Sequence, residues 1–346
     1  MPVGKTTLAK DILRDQSGYL NWDIAEDRER ILRRELPPAP LLVFDEIHKY
    51  RNWRNYLKGL YDRSPRDSQI LVTGSARLDY YRHGGDSLQG RYHYLRLFPL
   101  SCAELGITTT ADMQELLHLG GFPEPFFASS EVESRRWSRE YRRRLIEEDL
   151  ASLERVHDLG TLELLLLRLP DLVGSPLSIN AQREDLQAAH KTVANWLRIL
   201  ERLYAIFRLS PFGAPRIRAV KKEQKHYHFD WTLVKEPGAR FENMVALHLL
   251  KWTAFREDTL GLDVELRYFR DIDGREVDFV LLEDGKPTTL VECKTGGGPP
   301  GKGLKYLRAR FPHCRALQIS AADDRDFVTP EGIRVMPAPA FLAELV

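Results

Sequence analysis

The tetrapeptide formed by Gly4, Lys5, Thr6 and Thr7 has the residue types of a phosphate-binding site. Apolar residues follow it at helical spacing, so it stands at the start of a helix, whose N–H groups and dipole favour an anion. In the motif Gly-x-x-x-x-Gly-Lys-Thr, glycines let the backbone approach the phosphates, the lysine contacts them and the hydroxyl binds Mg²⁺. We therefore predict that these four residues bind ATP.

Two carboxylates follow a buried segment farther along the chain. The apolar run 41–44 predicts a strand buried on both faces, and Asp45 and Glu46 come directly after it. One carboxylate would bind Mg²⁺ and the other would orient the attacking water; the alternative is a surface turn after a core strand. A second buried strand, 69–73, precedes Ser75, which we expect to sense the γ-phosphate. Two strands that are joined by a helix and show no alternation of polar and apolar residues favour a parallel sheet.

The phosphate-binding motif is incomplete in this sequence. Its first glycine, and the strand that should feed the loop, would lie before the first residue. Each lost backbone hydrogen bond to a charged phosphate is worth about 1.5–3 kcal/mol, so nucleotide binding should be weaker by several orders of magnitude. The neighbouring strands should also expose aliphatic side chains. From the sequence we infer a start codon placed too late, or a truncated remnant.

A second group of charged residues lies near the C-terminus. Two predicted strands are joined by a turn centred on Gly285. This hairpin places Asp278 directly opposite Glu292. Period-two alternation then adds Glu276 and Lys294 to the same face of the sheet.

These side chains allow two interpretations. Asp278, Glu292 and a helix-borne Glu242 would hold Mg²⁺, and Lys294 would orient water or stabilise charge on a scissile phosphate. The alternative is an exposed sheet face with cross-strand ion pairs, such as Glu276 with Lys294. Neighbouring carboxylates repel each other unless a cation neutralises them. The first interpretation supplies Mg²⁺ as that cation, and the second supplies Lys294.

The middle of the chain is rich in arginine and in helical patterns. The helix predicted over 131–150 carries six arginines, which suit either an ion-paired face or a phosphate-facing surface. Residues 160–213 have a winged-helix-like layout. One of the helices in it carries Lys191, Asn195 and Arg198, which would contact DNA in a groove or, alternatively, belong to a packing helix.

Composition limits the class of protein. The 346 residues are 43% hydrophobic and 29% charged, which excludes disordered and disulfide-scaffold classes. The net charge of +1 gives no overall field for a polyanion, so any nucleic-acid site must be local. No apolar run approaches the roughly 18 residues of a membrane span, no signal peptide is present and the cysteines are isolated. We predict a cytoplasmic protein without a membrane partner.

Taken in order, these motifs resemble the prokaryotic AAA-type ATP-binding proteins, in which a P-loop ATPase domain precedes a C-terminal domain of undefined role. The resemblance covers nearly the whole chain. The matching motifs are Val3-Gly-Lys-Thr-Thr-Leu-Ala-Lys, Val43-Phe-Asp-Glu-Ile-His-Lys, Leu71-Val-Thr-Gly-Ser-Ala, Gly90-Arg91, Phe98-Pro-Leu-Ser, Gly121-Phe-Pro-Glu, Phe229-Asp, Arg240-Phe-Glu-Asn, Arg275-Glu-Val-Asp-Phe and Val291-Glu-Cys-Lys.

The resemblance implies an α/β protein in three parts. An AAA-type ATPase domain over residues 1–105 would contain a P-loop parallel sheet without its first strand. A helical, winged-helix-like region would follow over 106–215, and a restriction-endonuclease-like αβ domain over 216–346. The family implies ATP and Mg²⁺ as ligands, with Lys5 on the β- and γ-phosphates and Thr6 on the metal.

The leading hypothesis is an AAA-type ATPase that couples its nucleotide state to the binding or processing of DNA or RNA. The resemblance gives Arg91 the role of a trans-acting arginine finger or sensor, with an ordinary surface residue as the alternative. An arginine acting in trans requires a homo-oligomer. The competing hypotheses are a non-hydrolysing regulatory or interaction protein, and a metal-dependent nuclease with the ATPase part as scaffold.

Overall fold

The structure is a computed structural model of the chain. It describes residues 2–13, 16–63, 68–74, 88, 90–150, 158–213 and 223–346. The chain forms two compact units, Met1–Leu97 and Phe98–Val346, which we call unit 1 and unit 2. Within the described ranges, no helix combines the length and the apolar character needed to cross a membrane.

Unit 1 is a mixed α/β structure built on a parallel sheet of three strands in the order β1-β2-β3. Its elements are α1 (Lys5–Ile12), β1 (Tyr19–Asn21), α2 (Ala25–Arg33), β2 (Leu41–Asp45), α3 (Trp53–Arg63) and β3 (Gln69–Thr73). The parallel sheet predicted from the sequence is confirmed. Parallel neighbours bring the carboxyl ends of all three strands to one edge.

The central strand β2 is buried because both faces of the sheet are covered. On one face Val43 packs against Ala9 of α1. On the other, Phe44 packs with Ile31 of α2 and Leu57 of α3. Burial on both sides explains why β2 is a continuous apolar run with no alternation of polar residues.

Strand β3 is less well covered than β2. It forms an edge of the sheet in the part of unit 1 that the structure describes, and Ile70, Leu71 and Val72 are only half-buried.

The first part of unit 2 is mainly helical. Its elements are α4 (Thr110–Leu119), α5 (Pro123–Phe127), α6 (Glu131–Arg144), α7 (Leu159–Arg168), β4 (Pro176–Leu177), α8 (Ile179–Asp185), α9 (His190–Arg202), β5 (Ile206–Pro211) and β6 (Gln224–His228). Helix α9 has a buried apolar face, formed by Val193, Trp196, Leu197 and Leu200.

The second part of unit 2 surrounds one long helix and completes a large mixed sheet. Its elements are α10 (Pro237–Leu260), β7 (Val264–Arg270), β8 (Glu276–Glu283), β9 (Lys286–Lys294), α11 (Lys302–Arg310), β10 (Arg315–Ser320), β11 (Phe327–Val328), β12 (Arg334–Pro337) and α12 (Ala338–Leu342). The nine strands have the order β11-β12-β10-β9-β8-β7-β5-β6-β4, so strands from both parts join one sheet.

One predicted helix boundary is wrong. The helix expected over 131–150 is α-helical only to Arg144 and continues as a π-helical turn, Leu145–Leu150. The segment after Ser101 forms a single turn, in which Ser101 and Glu104 make the reciprocal contacts of a helix start. Gly106 adopts the left-handed conformation, with φ 64, and ends the turn there.

The hairpin of β8 and β9 has the predicted register over residues 279–281, where Phe279 pairs with Val291, but the register shifts by one residue before the turn, where Glu283 pairs with Lys286. The pairing of β8 with its other neighbour, β7, interrupts the alternation of side chains along β8. Arg267 pairs with Val280 but Phe269 pairs with Val277, so β8 has one extra residue at Asp278 and Phe279, which is a β-bulge.

The bulge changes which side chains share a face. Val277 and Val280 lie three positions apart, yet both pack into the same apolar cluster with Leu290. The prediction that simple alternation places Glu276, Asp278, Glu292 and Lys294 on one face is therefore wrong. Sequence periodicity could not reveal a bulge, because the bulge is defined by the register with β7.

Candidate functional site

Asp45 is the centre of a polar site at the carboxyl edge of the sheet in unit 1. The side chain is buried at the end of β2, in register with Asn21 of β1 and Thr73 of β3. Three hydroxyl groups donate to its carboxylate: Thr73 Oγ1 at 2.6 Å, Tyr19 Oη at 2.7 Å and Thr6 Oγ1 at 2.8 Å. Each neighbouring element of the sheet layer thus supplies one donor.

These hydroxyl groups keep Asp45 ionised. Burial alone would raise its pKa, but the hydrogen bonds from Thr73, Tyr19 and Thr6 outweigh burial and hold the pKa below its usual value. The site therefore presents a buried negative charge that is stabilised by neutral donors.

Helix α1 begins beside this carboxylate. Gly4 precedes the helix with φ 83, a left-handed conformation that favours glycine, and its carbonyl accepts the first helical hydrogen bond from Leu8. Burial lowers the pKa of Lys5, and the charges of Glu46 and Asp45 oppose that shift. The structure thus brings Lys5 and Thr6 to the carboxylates predicted to act with them, while Thr7 is exposed in the first turn.

Glu46 follows directly and has an unusual backbone. Its φ of 56 is left-handed, which costs free energy for a residue with a side chain. Its amide donates to the Thr73 carbonyl at 3.1 Å, and its half-buried carboxylate lies 3.4 Å from Lys49 Nζ. Burial raises the pKa of Glu46, and Lys49 opposes this shift. The strained turn separates Glu46 from Asp45, so the two carboxylates have different partners.

The structure says less about Arg91 and Ser75, the other two site residues predicted in unit 1. Arg91 pairs with Asp62, with Nε 3.1 Å from the carboxylate oxygen, and its side chain is about one-third exposed, at 33%. Ser75 lies outside the residues that the structure describes. The geometry leaves both roles as predictions.

Unit 2 contains a second charged cluster, which is centred on Lys225 of β6. Its Nζ lies 2.6 Å from Glu276, 3.1 Å from Glu242 and 3.8 Å from Asp278. Tyr227, two residues along the strand, donates its hydroxyl to the same Glu242 oxygen at 2.7 Å. The cluster joins α10, β6 and β8.

Burial and charge shift the pKa values in this cluster. Burial alone would lower the pKa of Lys225, but Glu242, Asp278 and Glu276 outweigh it and raise the pKa. Burial, followed by the charge of Glu242, raises the pKa of Asp278, while Lys225 opposes that shift. Asp278 also accepts a hydrogen bond from the amide of Cys293 at 2.8 Å.

Glu292 and Lys294 form a separate pair on β9. Lys294 Nζ lies 2.8 Å from Glu292, whose other oxygen accepts the amide hydrogen of Gly301 at 2.9 Å, where α11 begins. The predicted ion pair of Glu276 with Lys294 is wrong, because Glu276 pairs with Lys225 instead. Over the described residues, no group of three or more His, Cys, Asp or Glu side chains is arranged to hold a metal ion.

Sequence reasoning missed three contributors to these clusters. Tyr19 and Thr73 donate to Asp45, and Lys225, which stands in a lysine-rich stretch of the sequence, is fully buried. The signal available for Thr73 was its position at the carboxyl end of β3, while Tyr19, the first residue of β1, gave no such signal. For Lys225 no local signal exists, because its partners lie 17 or more positions away in sequence.

Several other motif residues of unit 2 are structural. Asn243 of α10 is fully buried and bonds both backbone groups of His228: its Oδ1 accepts from the amide at 2.8 Å and its Nδ2 donates to the carbonyl at 2.7 Å. Asp230 accepts hydrogen bonds from Thr232 and Ser138. These contacts attach β6 and the turn after it to neighbouring elements. Asn243 and Asp230 therefore have structural roles.

Comparison with known families assigns unit 1 to a class. Residues 2–106 match the family model described as an AAA domain. Residues 110–236 and 237–341 match two models described as domains of unknown function, DUF8612 and DUF4143. The chain therefore has an AAA-type domain, which suggests an ATPase-like function and implies nucleotide binding, typically with Mg²⁺.

Similar proteins come from distant organisms and are themselves uncharacterized. A protein of Mycobacterium tuberculosis is 27% identical over 310 residues, which cover 87% of this chain and 69% of that protein. One from Haemophilus influenzae is 23% identical over 295 residues, covering 76% and 70%. One from Methanocaldococcus jannaschii is 23% identical over 271 residues, covering 71% and 59%.

Proposed function

We propose that this chain is an ATPase of the AAA type, which binds ATP and Mg²⁺ in unit 1 and couples hydrolysis to the binding or processing of nucleic acid by unit 2. The observation that carries the proposal is the position of Asp45. It is an ionised, buried carboxylate at the carboxyl edge of a parallel sheet, 2.8 Å from the hydroxyl of Thr6 at the start of a helix.

The side chains around Asp45 fit a magnesium–nucleotide complex. A carboxylate and a hydroxyl are hard oxygen ligands of the kind that Mg²⁺ prefers, and the first amides of α1 face an anion favourably. Asp45 and Thr6 would hold the ion, and Lys5 would contact the β- and γ-phosphates, with Gly4 and Thr7 beside them. When bound, Mg²⁺ would neutralise charge on the phosphates.

Glu46 is the residue that we assign to the attacking water. Its strained, left-handed backbone turns it away from the hydroxyl groups that bind Asp45, so its carboxylate keeps an acceptor for a water proton. Its raised pKa makes it a better base than an exposed glutamate, because basicity follows pKa. Lys49 holds the carboxylate in place.

The other unit 1 residues have roles that depend on assembly. Ser75 would sense the γ-phosphate at the end of β3. Arg91 would reach the nucleotide of a second subunit, which requires a homo-oligomer and release of its ion pair with Asp62. Since that pair is partly exposed, its loss would cost little, about 0–1 kcal/mol.

Nucleic-acid coupling is supported by the order of elements in unit 2. Helix α7, strand β4, helices α8 and α9, and strands β5 and β6 follow one another as in a winged helix, and the strands pair in the order β4-β6-β5. Lys191 and Arg198 are exposed on α9, with Asn195 between them, on the side opposite the buried apolar residues. This is the face that would meet a groove.

The last part of unit 2 supports a restriction-endonuclease-like arrangement as part of the same proposal. Helix α10 supplies Glu242, and the hairpin of β8 and β9 supplies Asp278, Glu292 and Lys294. We assign these residues to nucleic-acid processing; the carboxylates could serve as metal ligands, with Lys294 as the catalytic lysine, only in a state in which the ammonium group of Lys225 has left them.

Calorimetric titration with ATP and Mg²⁺ tests the nucleotide proposal. Lys5→Ala should reduce affinity at least about tenfold, since it removes a charged contact worth about 1.5–3 kcal/mol. Lys302→Ala is the matched control: it removes an exposed lysine at the start of α11 in unit 2 and should leave affinity unchanged. Equal affinity of the wild type and Lys5→Ala would refute the assignment of the site, and binding without turnover would indicate a non-hydrolysing regulatory protein.

A further inference from the structure

Lys225 occupies the point at which three carboxylates of unit 2 converge. Its ammonium group is within 4 Å of Glu242 from α10 and of Glu276 and Asp278 from β8. These distances are those of ion pairs, and the three partners come from two different elements. The ammonium group of Lys225 therefore offsets part of the negative charge that the sheet and the long helix bring together.

The backbone fixes Lys225 in this place. Its Cα is paired with Leu209 of β5 on one side and with Pro176 of β4 on the other. The side chain is fully buried, and its Nζ lies 5.7 Å from the ring centre of Tyr268. A buried ammonium group that lost its partners would be strongly unfavourable, so the lysine and its carboxylates stabilise one another.

We propose that Lys225 is the resident cation of this cluster and that its side chain must be removed before a divalent metal ion can bind there. A divalent ion needs oxygen ligands at roughly 2.0–2.2 Å, and the lysine ammonium already fills the space between those oxygens. Two cations within about 3 Å would repel strongly in a buried site.

The other carboxylate of the region is also engaged. Glu292 is bound by Lys294 and by the Gly301 amide, and a Cβ at Gly301 would collide with its carboxylate, so α11 begins in direct contact with the carboxylate. Glu242, Asp278 and Glu292 thus each have a nitrogen partner from the chain. The inference concerns unit 2 alone and does not depend on nucleotide binding.

Manganese binding to the full chain, measured by calorimetry without nucleotide, tests the proposal. Wild type and Glu242→Gln should give the same binding curve, because no ion is held by Glu242. Lys225→Met, which shortens the side chain by one heavy atom and removes the ammonium group, should gain one additional Mn²⁺ site. That site should be lost again in Lys225→Met/Glu242→Gln, and Mn²⁺ should raise the melting temperature of Lys225→Met but not of the double variant.

Two results would overturn the proposal. Mn²⁺ binding by the wild type that disappears in Glu242→Gln would mean that the position is open to an ion despite the lysine. A folded Lys225→Met without an additional site would mean that no cation position exists. If Lys225→Met does not fold, Lys225→Met/Glu276→Gln has one unpaired carboxylate fewer and can be used for the same test. The comparison of wild type with Glu242→Gln does not depend on either variant.

Discussion

Asp45 in unit 1 and Asp278 in unit 2 are both acidic side chains in the strands of a sheet, yet their partners are of opposite kinds. Asp45 accepts hydrogen bonds from three neutral hydroxyl groups, whereas Asp278 lies beside the charged Lys225 and a second carboxylate, Glu242. The pKa of Asp45 is lowered and that of Asp278 is raised. Neutral donors keep Asp45 ionised for an incoming ion, whereas burial and the charge of Glu242 disfavour the ionised form of Asp278, and Lys225 already supplies a cation beside it.

The largest expected effect concerns chemistry in unit 1. Glu46→Gln should lower ATP hydrolysis by about 10²–10⁴-fold, the usual loss when a general base is removed. ATP affinity should be retained, because the proposed phosphate and metal contacts come from Lys5, Thr6 and Asp45. Steady-state phosphate release and calorimetry measure the two quantities.

Glu29→Gln is the matched control for that experiment. Glu29 is exposed on α2 and pairs only with Arg33 of the same helix among the contacts described. Turnover by Glu46→Gln at the rate of Glu29→Gln would remove Glu46 from the mechanism. It would also weaken the contrast between the two units, since neither would then contain an active carboxylate.

The next effect is a difference in acid stability between the units. In unit 2, burial lowers the pKa of His248 from 6.5 to about 4, that of His226 to about 4 and that of His228 to about 3. A histidine whose pKa is lowered in the folded state stabilises the fold when the pH is above its pKa in the unfolded state. That contribution is lost as the pH falls from about 6.5 towards 4, and for His248 it is on the order of 3 kcal/mol.

Unit 1 should lose stability at a lower pH than unit 2. The lowered pKa of Asp45 also contributes stability that is lost on acidification, but only as the pH falls below the ordinary aspartate value of 3.8. Hydrogen exchange at pH 7 and pH 4.5, resolved by peptide, should therefore show loss of protection first in unit 2. His248→Gln should reduce the pH dependence, and simultaneous loss of protection in both units would contradict the assignment.

A smaller loss of stability is expected for Asn243→Ala. The amide of Asn243 bonds both backbone groups of His228 and is fully buried, so its removal leaves two polar groups without partners. We expect a loss of about 2–4 kcal/mol in the free energy of unfolding, measured in urea. Asn180→Ala, at an exposed site on α8, should change stability by less than about 0.5 kcal/mol. Equal effects would show that the buried contacts contribute little.

The smallest expected effect concerns nucleic acid. Arg198→Ala on the exposed face of α9 should reduce affinity several-fold and lower the salt dependence by about one phosphate contact. Fluorescence anisotropy over a range of salt concentrations measures both. Arg315→Ala, which removes an arginine paired with Glu344, is the control. An unchanged salt slope for Arg198→Ala would separate α9 from any nucleic-acid surface.

The sequence predicted much of unit 1 because its signals are local. A continuous apolar run indicated β2, the residues after it indicated Asp45 and Glu46, and glycine before Lys5 indicated the start of α1. Strand ends in a parallel sheet meet at one edge, so the convergence of these residues followed from topology. The hydroxyl of Tyr19 was missed because nothing in its own segment distinguishes it from a core tyrosine.

The sequence predicted less of unit 2 because its site depends on distant pairing. The hairpin was predicted correctly, and so was its register over residues 279–281, since turn and strands are adjacent in sequence. The bulge at Asp278 depends on β7, and the partners of Lys225 come from α10 and β8. A lysine in a basic stretch is usually solvated, and only the tertiary structure shows that this one is buried among carboxylates.

The most direct test of the account is the effect of Mg²⁺ on ATP affinity in Asp45→Asn. If Asp45 holds the ion, Mg²⁺ should increase the affinity of the wild type for ATP, and the ratio of affinities with and without Mg²⁺ should fall to about one in Asp45→Asn. Asp278→Asn should keep the wild-type ratio. A ratio that is unchanged in Asp45→Asn, or that depends on Asp278 instead, would contradict the account.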